Sequence, residues 1–260
     1  MRTTRERIIL PSIDNVPAEY WRRLSRKKIF FGHQSVGYNI IDGIKDIMQE
    51  HPEIKLNIVE TNKAADFDHP VFAHATVGTN TRPLSKITAF EQIMSDGIGD
   101  KVDIAFFKFC YIDIMDDSDP RAIFDKYADT LAQLKARYPH VQFLHVTAPV
   151  RSTPRQTKRK LKHLAKALLG RPTTLHRNAK RQQYNALLRK SYAGSEPLFD
   201  LAGAECVNPQ GFMLYALKNG QQVFFMAPQY TYDSGHLNRL GRKKVAEQLL
   251  ITLAEVAGRQ

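Results

Sequence analysis

Apolar and polar positions along the chain follow two rhythms. Residues 28–32 (Lys-Ile-Phe-Phe-Gly) form a short apolar run closed by glycine, which predicts a buried strand. Over residues 36–48, Ile40, Ile41, Ile44, Ile47 and Met48 recur at spacings of three and four, marking one face of a helix. Residues 55–60 predict a second strand. Residues 102–109 predict a third, apolar for most of its length, as suits a parallel strand covered on both faces. Asp119-Pro120 opens a helix with an acidic N-cap and proline at the first helical position, and Ile123, Phe124, Tyr127, Leu131 and Leu134 form its apolar face. A fourth strand is predicted over 141–147, a helix over 178–192 and a fifth strand over 197–201. A hairpin is predicted over 213–226 about Asn219-Gly220. The last helix begins near Leu237 and buries Leu240, Val245, Leu249, Leu253 and Val256.

Strands separated by single helices predict right-handed βαβ units and a parallel sheet. The expected architecture is an α/β fold, a three-layer α/β/α sandwich with about five parallel strands. With no repeat and no long linker, the 260 residues read as one domain. Ligands of open parallel sheets gather at the carboxyl ends of the strands, so candidate chemistry is sought there.

Composition changes this picture only through charge. Hydrophobic residues make up 43% and charged residues 25% of the chain, ordinary for a globule and unlike a disordered chain or a disulfide scaffold. No run approaches the ~20 apolar residues of a membrane span. The net charge of +12 is concentrated: residues 130–195 hold fifteen Lys and Arg and no Asp or Glu, leaving the remainder slightly acidic. The densest part, 151–181, reads as a basic insertion or lid, or as a solvated helical face. It would attract an anionic partner such as an acidic saccharide, phosphate, lipid or nucleic acid. Without zinc-finger spacing or an RNA-binding aromatic signature, nucleic acid is not the expected partner. Two cysteines and no secretory signal in this sequence give a cytoplasmic expectation, or an exported one had a signal been removed.

Ser35 follows the first strand, in Gly32-His33-Gln34-Ser35-Val36-Gly37, beside the free N–H groups of a helix start. It reads either as an N-cap or as a nucleophile, and a nucleophile needs a base. Near the other end, Asp233-Ser234-Gly235-His236 precedes the last helix. A carboxylate three residues before an imidazole on a tight turn can hold one ring nitrogen and leave the other to accept a proton. The bland alternative is a capping Asp and a surface His.

Asp233-x-x-His236-Leu-Asn238, followed by Gly241 and a terminal helix, resembles the last sequence block of the SGNH/GDSL hydrolase superfamily. Ser35 after the first strand resembles its first block, although Gly-His-Gln-Ser stands where Gly-Asp-Ser is usual. The resemblance spans about residues 28–257 and implies a flavodoxin-like sandwich of SGNH-hydrolase type. It also implies an esterase with Ser35 as nucleophile, His236 as base and then acid, and Asp233 orienting it. The oxyanion would rest on the N–H groups of Ser35 and Gly78. The Asn expected in the third block falls on Ile112, so Asn80 is the first substitute donor, Tyr111 the second and Lys108 a third. His33, Gln34, Lys108 and Tyr111 are substrate-binding candidates. The implied substrate is a carboxylic ester, such as an O-acyl or O-acetyl group on a saccharide or another anionic molecule, with no cofactor. A catalytically degenerate member that binds an anionic ligand, and a basic module for nucleic acid or membrane, are the alternatives.

Other residues read as structural. Cys110 is expected to pack at a strand end, Asp200 to support the fifth strand, and Asp66, Asp68, His69 and His74 to lie in a solvated loop without metal-ligand spacing.

Overall fold

The computed structural model describes residues 2–4, 6–153 and 172–259. Among the described residues the strands in chain order are β1 (Arg2–Thr3), β2 (Lys28–His33), β3 (Ile58–Glu60), β4 (Val71–Thr76), β5 (Ile104–Phe107), β6 (Gln142–Phe143), β7 (His145–Val146), β8 (Leu198–Phe199), β9 (Leu214–Lys218) and β10 (Gln221–Phe224). The α-helices described are α1 (Ala18–Leu24), α2 (Val36–Glu50), α3 (Pro83–Ile93), α4 (Pro120–Arg137), α5 (Thr174–Tyr192), α6 (Leu201–Cys206) and α7 (Arg239–Gly258).

The central sheet has five parallel strands in the order β3-β4-β2-β5-β6. Alternate side chains of each strand face opposite layers. Ile29 and Phe31 of β2 join a core closed by Trp21 of α1, the isoleucine stripe of α2 and Val245 to Ala257 of α7. Phe30 joins the other core with Ile87 and Phe90 of α3, Phe124 and Leu131 of α4, and Tyr184 of α5. The expected sandwich is therefore present, with α1, α2 and α7 on one face and α3, α4 and α5 on the other.

The membership of the sheet differs from expectation. The strand Val71–Thr76 was not foreseen, because its run is short and follows an Asp/His-rich stretch that reads as loop. It is the strand that delivers Gly78, where the sequence suggested the stretch 55–60. The predicted fourth strand is divided at Leu144. The predicted fifth strand, shortened to Leu198–Phe199, pairs with His145–Val146 in a separate two-stranded sheet. The hairpin forms as expected: Asn219 and Gly220 adopt φ of 50° and 76° between β9 and β10, and β1 adds a third, antiparallel strand. Asp119 caps α4 through the N–H groups of Arg121 and Ala122. Most of the basic stretch expected as an insertion or lid, residues 154–171, lies outside the described residues.

Candidate active site

Ser35 stands at the abrupt junction between β2 and α2, with φ 53° and ψ −106° and no capping hydrogen bond from its side chain. The capping alternative is therefore not what the hydroxyl does. It is turned toward the far end of the chain, where Ser35 Oγ lies 2.7 Å from His236 Nε2. His236 Nδ1 lies 2.6 Å from Asp233 Oδ2. The other carboxylate oxygen accepts the N–H groups of Gly235 at 2.8 Å and His236 at 2.7 Å. Burial alone would raise the Asp233 carboxyl. The hydrogen bonds from the His236 ring and from the two backbone N–H groups outweigh it and hold the group at about 2. The carboxylate thus keeps the ring proton on Nδ1 and leaves Nε2 as acceptor for the serine proton.

Two asparagine side chains, whose contacts the sequence does not announce, seat this turn. Asn39, on α2 one turn after Ser35, accepts the Leu237 N–H at 3.1 Å. An amide among isoleucines was the available signal. The Asn238 side chain caps α7 at Gly241 N–H and donates to Gln229 O at 2.8 Å.

The loop after β4 faces the same junction. Gln34 donates its amide to Val77 O at 3.1 Å and also to Gly78 O. Gly78 has φ +58°, and a Cβ there would come within 2.6 Å of the Lys86 backbone, so only glycine fits. The backbone N–H groups of Ser35 and Gly78 bond to no described residue, which leaves them available to an oxyanion.

Behind this loop, Lys86 is fully buried. Its ammonium lies 2.6 Å from Asp113 Oδ2 and donates to Asn80 Oδ1 at 2.9 Å. Asp113 also accepts the N–H groups of Thr81 at 2.9 Å and Cys110 at 2.6 Å. Lys86 thereby fixes the orientation of the Asn80 amide: its oxygen is on the lysine and its NH2 group points away. Lys86 was not among the candidates read from the sequence, where nothing marks this lysine as buried.

The remaining candidates separate clearly. Tyr111 is half-buried with its ring edge-on to His236 at 5.8 Å, and burial raises its phenol. Tyr232, unassigned from sequence, is 70% exposed, and its ring lies nearly parallel to the same imidazole with centroids 6.2 Å apart. Lys108 is buried and does not line the site. Its ammonium donates to Gln34 O at 3.0 Å, supporting the residue before Ser35, and burial lowers its pKa. His33 is likewise fully buried, beneath the first turn of α2, with Nε2 3.0 Å from His74 Nδ1. Burial, aided by Lys108, His74 and Lys86, pushes its pKa down to about 2, so it is a neutral structural imidazole. His74 is a buried β4 residue rather than part of a solvated loop. Asp66 accepts from Thr61, and Asp68 pairs with Lys101. No cluster of three metal-ligating side chains occurs among the described residues. The Cys110 thiol packs against Gln34 O, away from any histidine pairing, and Asp200 caps α6 at Gly203 N–H.

A parallel-sheet α/β/α sandwich with a serine after β2, facing an Asp-x-x-His turn before the last helix described, defines the SGNH class of fold. The family model for GDSL-like lipase/acylhydrolase matches residues 30–249. The chain belongs to that family, whose members are ester-acting hydrolases and acyltransferases. Among solved structures, one assigned as a GDSL-like lipase from Parabacteroides merdae aligns at 10% identity with a TM-score of 0.50, covering 91% of this chain and 99% of that one. The lipase Lip_vut3 from a goat rumen metagenome aligns at 10% identity and TM-score 0.46, over 88% of this chain and 96% of that one. The periplasmic domain of a lipopolysaccharide acetyltransferase from Salmonella Paratyphi A aligns at 13% identity and TM-score 0.45, over 86% and 83%. No curated protein sequence matches. Among the described residues, no helix is long and apolar enough to cross a membrane.

Proposed function

We propose that the protein hydrolyses carboxylic esters by two-step acyl transfer through Ser35. The observation that carries this reading is the unbroken hydrogen-bond line Ser35–His236–Asp233, with distances of 2.7 and 2.6 Å. Ser35 Oγ attacks the ester carbonyl while His236 Nε2 takes its proton. The tetrahedral oxyanion is held by the N–H groups of Ser35 and Gly78, with the Asn80 amide as third donor. His236 returns the proton to the departing alcohol, and water then releases the acid by the same steps. The strained φ of Ser35 supports this role, since backbone strain collects where a side chain must be presented. Tyr111 and Tyr232 form the flanking walls for substrate.

The substrates proposed are O-acyl or O-acetyl esters on a saccharide or other anionic molecule. The basic character of residues 130–195 supports an anionic preference. A cytoplasmic setting is supported by the two buried free thiols, Cys110 and Cys206.

Hydrolysis of p-nitrophenyl acetate tests the mechanism. Ser35→Ala is expected to lower kcat by about 10⁴-fold or more, with the melting temperature held or raised. Equal turnover by the two proteins would remove the serine mechanism and leave a degenerate, ligand-binding member of the family.

A further inference from the structure

Arg151 lies immediately beside the turn that carries His236. Its backbone N–H and C=O are both engaged by the Asn178 side chain, at 3.1 and 2.8 Å, so the main chain is fixed to α5. Its Nε donates to the carbonyl of Ser234, inside the Asp233–His236 turn, at 3.3 Å. Its guanidinium carbon sits 5.1 Å from the centroid of the Tyr111 ring, the ring that also stands edge-on to His236. Among the described residues no carboxylate pairs with Arg151, and its two terminal nitrogens have no hydrogen-bond partner.

The surrounding charge is not balanced by an acid either. Arg181, fully buried nearby, spends its donors on Tyr111 O, Asn178 Oδ1 and Met115 Sδ, and has no carboxylate partner among the described residues. Arg177 is taken by Asp116 at 2.7 Å. Asp233 is committed to His236. Glu205 accepts the Val150 N–H but is fully buried, and burial pushes its carboxyl up to about 8. A half-buried guanidinium with a free edge, held rigidly at a ring beside the imidazole, is suited to bidentate recognition of a planar or tetrahedral anion.

We infer that Arg151 is a specificity-determining residue that binds a carboxylate or phosphate carried by the substrate close to the scissile ester. This rests on the ester-hydrolase reading above and adds to it the residue that recognises the anion and the place of that anion beside the scissile bond. The anion rides either on the acyl portion or on the leaving alcohol, and the chemistry of recognition is the same for both.

The test uses the full chain and three esters: neutral p-nitrophenyl acetate, p-nitrophenyl hemisuccinate with its charge on the acyl side, and 4-acetoxybenzoate with its charge on the alcohol side. Wild type should prefer one charged ester, and which one it prefers identifies the side. Arg151→Gln should cut that preference, the ratio of kcat/KM values for charged and neutral ester, by about tenfold, mainly through KM. Arg151→Lys should restore part of it. Equal losses on all three esters would assign Arg151 to support of the Asp233 turn and overturn the inference, and so would no change on any. If Arg151→Gln does not fold, competition decides. Free succinate should competitively inhibit wild-type hydrolysis of the acetate, and inhibit Arg151→Lys less; absence of inhibition overturns the inference. Retained acetate hydrolysis in Ser35→Ala would sink the serine mechanism separately.

Discussion

Ser35 holds a left-handed backbone that a side chain rarely adopts, at an energy of about 1–3 kcal/mol, and the surrounding bonds keep it there. Asn80 shows how closely such a residue depends on its partners. The sequence suggests that Asn80→Ala would lower turnover with little effect on stability. The structure alters that expectation, because Asn80 Oδ1 is an acceptor for the buried Lys86 ammonium. The better variant is Asn80→Asp, which keeps the acceptor and removes the NH2 donor. It should lower kcat for p-nitrophenyl acetate by about 10²–10³-fold while the melting temperature holds. Unchanged kcat would remove Asn80 from the oxyanion hole. At this scale the site was legible where its chemistry is local. Asp233 and His236 are three residues apart on one turn, and their pairing follows from that spacing. Asn39, Lys86 and Arg151 were not legible, because each acts across the fold on a backbone atom or an amide that no spacing announces.

The elements show the same division. The isoleucine stripe of α2, the Asp119-Pro120 start of α4 and the Asn219-Gly220 turn are each specified by neighbours within a few residues, and each appears where it was expected. Val71–Thr76 is specified instead by pairing with β2 and β3 on its two sides, and its sequence, with only Val71 and Phe72 as larger apolar residues, carries little signal of its own. Conversely, Leu198–Phe199 has a convincing apolar run but pairs only with the short His145–Val146. The two loops beyond β4 and β5 have no periodicity at all. They are joined by Lys86, Asp113 and the backbone N–H groups of Thr81 and Cys110 into one buried polar unit. Lys86→Met would leave the Asp113 carboxylate buried without its counter-charge and should destabilise the protein by about 3–5 kcal/mol. Denaturant unfolding measures this. A loss below about 1 kcal/mol would show that the loops hold without the pair.

For the whole molecule, alternating strands and helices were enough to predict a three-layer sandwich, because only a few architectures bury such a sequence. What could not be foreseen is how many ionisable groups the layers enclose. Burial lowers His33 to about 2 and His145 to about 4, from an ordinary 6.5. Their share of stability is complete above 6.5 and is lost as the pH falls through those folded values. Burial raises Glu205 from 4.5 to about 8, so its share is complete below 4.5 and is lost as the pH rises toward 8. The fold is thus squeezed from both sides. Glu205→Gln should therefore gain melting temperature relative to wild type steadily between pH 5 and 8. A constant difference across that range would mean that Glu205 ionises as readily in the fold as out of it.

Ser35 and His236 stand 201 positions apart in the sequence, and α7, which follows the histidine, packs along α2, which follows the serine. On a ribosome, then, a chain that works by the proposed mechanism carries an inert alcohol until synthesis has passed His236. A product cut short before that point would have no proton acceptor for Ser35, so under the proposed mechanism acyl transfer would begin only after the Asp233–His236 turn has been added.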